Sequence, residues 1–227
     1  MIRFYFSGGP NPRKVALFLE EAGVAYDGVR VDTLAGEQYA PDFLALNPNA
    51  KVPVIVDEGQ VIFDSNAILL YLADTRNVFL APRGTPAWSE TLSWLMFVAS
   101  GVGPYAGQAV HFRHASPLDV PYAMERYQFE AARHFSIIED RLRDREYLVG
   151  DSFSIVDMAL WGWASFLPRI LGEEAASAFP RVAAFVARID ARPAALRALA
   201  VTGGQAPAAG KVKANPNLFR YLATAQE

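Results

Sequence analysis

Two kinds of hydrophobic periodicity meet in this chain, and their order limits the folds open to it. The first part alternates short extended runs with amphipathic helical ones; everything beyond Pro86 repeats its apolar residues at helical spacing. Residues 2–6 (IRFYF) read as a strand, broken by Ser7-Gly8-Gly9-Pro10-Asn11-Pro12. Pro12 suits the first position of a helix with Asn11 as its cap, and Gly23 ends that helix. Residues 25–31 read as a second strand and 37–46 as a short irregular helical piece. Residues 52–57 and 60–63 form a hairpin about Glu58-Gly59, and Asp64-Ser65 opens a helix reaching Ala73. The order is β-α-β-α-β-β-α, a compact α/β module.

Residues 81–86, with two prolines and a glycine, read as a linker. After it come helices over 88–100, with an interruption at Gly101-Val102-Gly103-Pro104, and over 121–144. Ser154-Ile155-Val156-Asp157 is a capping box, and residues 158–167 behind it are apolar nearly all round, as befits a buried central helix. Helices over 181–192 and 194–200 complete this half. The expected organisation is an α/β domain at 1–80, a linker at 81–86, an all-helical domain at 87–202 and a Gly/Pro-rich tail at 203–227. That tail ends in the cluster Leu218-Phe219-Arg220-Tyr221-Leu222, which either forms a partly ordered terminus or docks on the body or on a partner subunit.

Composition excludes several function classes. A net charge of −3 and the lack of Lys/Arg runs leave no footprint for nucleic acid or a membrane surface. The apolar runs are too short to span a bilayer, and the N-terminus reads as a strand rather than a signal peptide, so a cytoplasmic protein is expected. The 227 residues contain no cysteine. Disulfides, cysteine zinc sites and a protein thiol nucleophile are thereby excluded, and any sulfur chemistry must arrive with a ligand.

The candidate site residues each admit two readings. Pro53 at the head of a strand loses no needed ladder bond. If the Val52–Pro53 bond is cis, Val52 can present its N–H and C=O to a bound peptide; a trans proline at a loop end serves as well. Asp64-Ser65 is either a plain helix cap or an anion site, with an acid beside it for an ammonium group. Asn11 is either a turn residue or a group placed to favour a thiolate at a helix end. Arg126 pairs by default with Glu125 or Glu130. His111 and His114 share a helix face but lack a third metal ligand nearby, and Trp161 and Trp163 belong in the core.

Set in order, these segments resemble the cytosolic glutathione transferases. The resemblance rests on YFSGGPNPRKVALFLEEAG, NAKVPVIVDEGQVIFDSNAILLYLA, GPYAGQAVHFRHASP, PYAMERYQFEAARHFSIIEDRL and SIVDMALWGW. It covers roughly residues 1–200 and looks closest to the bacterial Nu class and the Ure2-like disulfide-bond reductases. It implies a thioredoxin-like domain followed by a helical bundle, usually as a homodimer. In such a protein Val52 before cis-Pro53 binds the cysteinyl backbone of glutathione, and Asp64 and Ser65 bind the γ-glutamyl end. Gln38 and Lys51 face the glycyl end, Asn11 lies by the sulfur, and Arg126 reaches the site from the helical half. It also implies glutathione or glutathione disulfide as the bound molecules, two glutathiones per site, and no metal. One departure stands out: the class carries Thr-Pro-Asn where this chain has Gly9-Pro10-Asn11. Ser7 is nearby, and Tyr5 is expected to pack rather than act.

The expected activity is disulfide reduction by a bound glutathione thiolate. The alternatives are a conjugating or ether- or halide-cleaving transferase, and a regulator or scaffold that has lost catalysis. The wall facing the second substrate is expected from residues 105–114, part of the long helix and the tail.

Overall fold

A computed structural model describes residues 1–203 of the chain. The final aromatic cluster at 218–222 lies outside the described residues. Strand β1 (Ile2–Phe6) alternates strictly: Ile2, Phe4 and Phe6 are buried on one face, while Arg3 is exposed and Tyr5 half-buried on the other. Helix α1 (Pro10–Glu21) follows, then β2 (Tyr26–Arg30), a 3₁₀ turn (Glu37–Tyr39) and α2 (Pro41–Leu46). Strands β3 (Val54–Asp57) and β4 (Gln60–Phe63) form the hairpin, and α3 (Ser65–Arg76) closes the unit. The sheet order is β2-β1-β3-β4, with β1 parallel to β2 and antiparallel to β3, and β3 antiparallel to β4. Phe4 pairs with Gly28 on one side and Ile55 on the other. One face of the sheet packs on α1 and α3 within the main core. The other carries Val31, Val54 and Tyr5 and is covered by Phe43 of α2.

Helix α1 starts earlier than the sequence pattern suggested. Its cap is Gly9, and Pro10 takes the first position, so Asn11 is a helical residue and not the cap. Gly9 has φ 153°, a backbone conformation that glycine alone adopts cheaply. Strand β3 likewise begins at Val54, leaving Val52 and Pro53 in the approach to it.

The helical half comprises α4 (Pro86–Phe97), α5 (Gly103–Val110), α6 (Pro121–Arg141), α7 (Ile155–Ala164), α8 (Leu167–Leu171), α9 (Glu173–Ala176), α10 (Pro180–Asp190) and α11 (Pro193–Val201). The expected interruption at residues 101–104 is not there. A π turn (Val98–Val102) joins α4 to α5, and a second one (His111–Ala115) follows α5. In this wider turn the Gly103 N–H bonds back to the Val98 carbonyl. Pro104, which lacks an N–H and would strain a regular helix at this point, is thus accommodated.

Helix α7 is buried along all ten of its residues. Its capping box is complete: Asp157 accepts from the Ser154 N–H and hydroxyl at 2.9 and 2.8 Å and from the Leu148 N–H at 2.9 Å. Burial pushes the Asp157 carboxyl up to about 6, against these hydrogen bonds. Helices α1 and α3 pack on α7, which locks the sheet unit to the helical half. The contact is closest at Gly162, where a Cβ would come within 2.5 Å of both the Pro10 carbonyl and Lys14 Cγ. Trp161 is fully buried and donates to Asp190 Oδ1 at 2.8 Å. Among the described residues no helix is long and apolar enough to cross a membrane.

Candidate active site

The N-termini of α1 and α3 lie side by side. Ser65 Oγ, at the first residue of α3, donates to Asn11 Oδ1 at 3.4 Å and receives from Lys14 Nζ at 3.3 Å. Asp64 caps α3, accepting from the N–H groups of Asn66 and Ala67 at 2.9 and 3.1 Å. It does so at φ 71°, a sparsely populated conformation for a non-glycine residue. Ser65 is nearly fully buried, whereas the second oxygen of Asp64 takes no part in capping. An acid, a hydroxyl and the positive end of a helix therefore meet at one point.

The end of α1 is a sparser anion site than a helix terminus usually provides. Pro10 and Pro12 have no N–H, and the Arg13 N–H bonds to the Gly9 carbonyl at 3.4 Å. Among the described residues Asn11 is left with the free backbone N–H of this first turn, and its side-chain amide adds two more donors. With Oδ1 engaged by Ser65, the amide nitrogen is the end left to face a ligand. Ser7, the other hydroxyl considered, is turned to the Gly8 carbonyl at 3.5 Å. Tyr5 packs edge-on against Phe43, as expected.

The Val52–Pro53 peptide is cis. Among the described residues no hydrogen bond uses the Val52 N–H or C=O. The loop before it is locked by Asn47, buried, which donates to the Lys51 carbonyl at 2.7 Å and accepts from the Asn49 N–H at 3.0 Å. Lys51 itself points to solvent. Gln38 is buried and donates to the Thr33 carbonyl at 3.2 Å, while its side-chain oxygen has no partner among the described residues. Arg126 is half-exposed on α6 and pairs with Glu130 at 2.8 Å.

A cleft of about 640 Å³ opens beside the first loop. Gly9 and Pro10 form one wall, Gly107 and Val110 of α5 another, and Trp163 and Phe166 the floor. The expected contribution from residues 105–114 is present, α6 lends no described residue to the lining, and Trp163, in the core as expected, also lines the cleft. His114 is occupied elsewhere, its Nε2 2.8 Å from the Arg169 carbonyl, and His111 stacks edge-on against Phe112.

Two basic residues of α1 escaped the sequence reading. Arg13 donates to Ser165 Oγ at 2.8 Å with its guanidinium 4.4 Å over the Phe166 ring; burial lowers its pKa to about 10, opposed by Asp190. Lys14 is 1% exposed, and burial lowers its pKa to about 7, opposed by the Asp64 charge. A signal was available: Lys14 lies one turn before Phe18, on the same face of the helix as that apolar residue.

Comparison with known proteins shows the family. Residues 1–74 match the model of the glutathione S-transferase N-terminal domain, and residues 121–193 that of the C-terminal domain. The disulfide-bond oxidoreductase YfcG of Escherichia coli is 41% identical over 206 residues, covering 88% of this chain and 94% of that protein. A glutathione transferase family member from Pseudomonas fluorescens, solved with two glutathione molecules bound, superposes with a TM-score of 0.83 at 36% identity, covering 87% of this chain and 92% of that one. The glutathione transferase URE2P8 from Phanerochaete chrysosporium, solved with oxidised glutathione, superposes at 0.83 with 32% identity, covering 89% and 95%. With both of its halves matched and a near full-length relative at this identity, the chain belongs to the glutathione S-transferase family.

Proposed function

We propose that this protein is a glutathione-dependent disulfide-bond reductase, cytoplasmic and homodimeric. The observation that carries the reading is the Ser65–Asn11 hydrogen bond, which joins a zwitterion-binding helix end to the donor group at the start of α1. Val52 has an unused N–H and C=O for the cysteinyl backbone of glutathione. Asp64 and Ser65 suit its α-ammonium and α-carboxylate, and the unpartnered Gln38 oxygen and the Lys51 ammonium serve the glycyl end. Asn11 donates to the sulfur. The relatives solved with two glutathiones or with oxidised glutathione support a site of that size.

In this mechanism Asn11 and the positive end of α1 stabilise the glutathione thiolate. The thiolate attacks one sulfur of a disulfide and expels the other as a thiolate, which takes a proton from solvent. A second glutathione, as its thiolate, attacks the glutathione sulfur of the mixed disulfide and breaks that bond; the remaining substrate sulfur is expelled as a thiolate and glutathione disulfide leaves. The protein needs no cysteine of its own, and it has none. Arg126, freed from Glu130, is assigned to a carboxylate of the second glutathione.

One observation favours a second activity. The aromatic floor of Trp163 and Phe166 suits a flat apolar electrophile, which makes conjugation the competing reaction. Titration calorimetry with glutathione and with glutathione disulfide tests the assignment. Two glutathiones or one disulfide per chain is the expected result; binding of neither at millimolar concentration overturns it in favour of a scaffold.

A further inference from the structure

A lysine inside a protein needs a reason. Lys14 is fully enclosed, wedged between α3 and the surface of α7 at Gly162, and among the described residues its ammonium has one hydrogen-bond partner, Ser65 Oγ, where it can have three. We propose that Lys14 is a positioning residue of the glutathione site: its ammonium sets the direction of the chain Lys14–Ser65–Asn11 and gains its proton when the ligand's anionic groups arrive. The proposal rests on the glutathione reading above.

The direction follows from donor counting. A charged Lys14 can only donate, so it takes a lone pair of Ser65 and leaves that hydroxyl to donate to Asn11 Oδ1. The Asn11 amide is then fixed with its N–H₂ toward the sulfur. A neutral Lys14 can accept from Ser65 instead. The hydroxyl then no longer holds Oδ1, and the amide is free to turn its oxygen to the thiolate, where it would repel.

The charges around Lys14 make its protonation responsive to a ligand. From α3, Asp64 acts on it. From α7 it meets the backbone at Gly162; the acid of that helix, Asp157, is held by Ser154 and Leu148. Arg197 of α11 pairs with Glu20, and Arg192 just before that helix pairs with Glu21. Arg13, next on its own helix, is turned to Ser165. The site thus holds one nearby countercharge, and a γ-glutamyl carboxylate at Ser65, the residue Lys14 touches, adds a second that is closer to the lysine than the ammonium taken by Asp64. Burial has brought the ligand-free pKa of Lys14 to about 7, so an added anion raises it and draws a proton from solvent.

The test uses S-methylglutathione, which carries both carboxylates but no thiol to titrate. Calorimetry of the wild-type protein at pH 8, in buffers of different ionisation enthalpy, reads protons taken up per site. Uptake of about half a proton or more is expected, and Lys14→Met should abolish it and weaken binding by about tenfold. A companion readout is the thiolate absorbance of bound glutathione, whose titration should move to higher pH in Lys14→Met. Binding to the wild-type protein without proton uptake overturns the role of Lys14 and leaves the glutathione site intact. Failure of the wild-type protein to bind either compound overturns the site itself. The wild-type measurement decides the matter even if Lys14→Met does not fold.

Discussion

Lys14 and Ser65 face each other across the seam between the first and third helices, Nζ 3.3 Å from Oγ, with the lysine sealed from water. This contact has a cost in the ligand-free protein. Burial lowers the lysine from its ordinary 10.5 to about 7, with Asp64 acting against the shift. Between those values the unfolded chain holds the proton and the folded one does not, so stability rises with pH across the window. The full penalty stands below about pH 7 and is gone by about pH 10.5. Lys14→Met should therefore melt higher than wild type without ligand, with its largest advantage at or below pH 7 and none near pH 10. Paired melting curves over that range check it, and a variant less stable than wild type at every pH would refute it.

Gly9 stands where the class pattern has threonine, and its φ of 153° explains why the hydroxyl cannot simply be restored. Space is not the obstacle, since among the described residues nothing beyond its chain neighbours lies within 4 Å of a built Cβ. The backbone is: a β-branched residue there costs about 1–3 kcal/mol. Gly9→Thr is expected to lower the melting temperature by several degrees and to leave disulfide reductase activity no higher than in wild type.

Asp64 has two roles that one substitution separates. Asp64→Asn keeps an oxygen for the Asn66 and Ala67 N–H groups and tolerates the positive φ. Its melting curve should stay close to wild type while glutathione binding weakens about tenfold or more, because the ammonium loses its countercharge. Unchanged affinity would reduce Asp64 to a helix cap.

Arg126 offers a sharper split. It is half-exposed and held by Glu130. Arg126→Ala should lower kcat/KM for a disulfide about three- to tenfold through KM, with conjugation to a small aromatic electrophile unchanged. Equal loss in both reactions would remove it from the second subsite.

Most of the fold could be read from sequence because its signals are local. Ile2, Phe4 and Phe6 alternate, Ser154 and Asp157 form a capping box by spacing alone, and Gly23 and Gly59 take the positive φ of turns. The misreadings came where two local rules compete. Asn11 and Pro10 both suit the start of α1, and the positive φ of Gly9 decides for Pro10. Pro104 reads as a break until a π turn absorbs it. The site residues were legible only as a set in order, since a cap, a cis proline and a turn asparagine are each ordinary alone. Lys14 and Trp163 were hidden for another reason. What Lys14 touches is decided by the packing of α1 on α7, more than a hundred positions apart, and what Trp163 touches by its approach to Gly103 and Gly107 of α5.

The most direct measurement compares two turnover rates on one preparation: reduction of hydroxyethyl disulfide by glutathione, and conjugation of glutathione to chlorodinitrobenzene. Disulfide reduction should exceed conjugation and fall by about a hundredfold in Asn11→Ala, which removes the side chain proposed to donate to the sulfur. Conjugation ahead by orders of magnitude, or reduction undiminished in Asn11→Ala, would contradict the assignment.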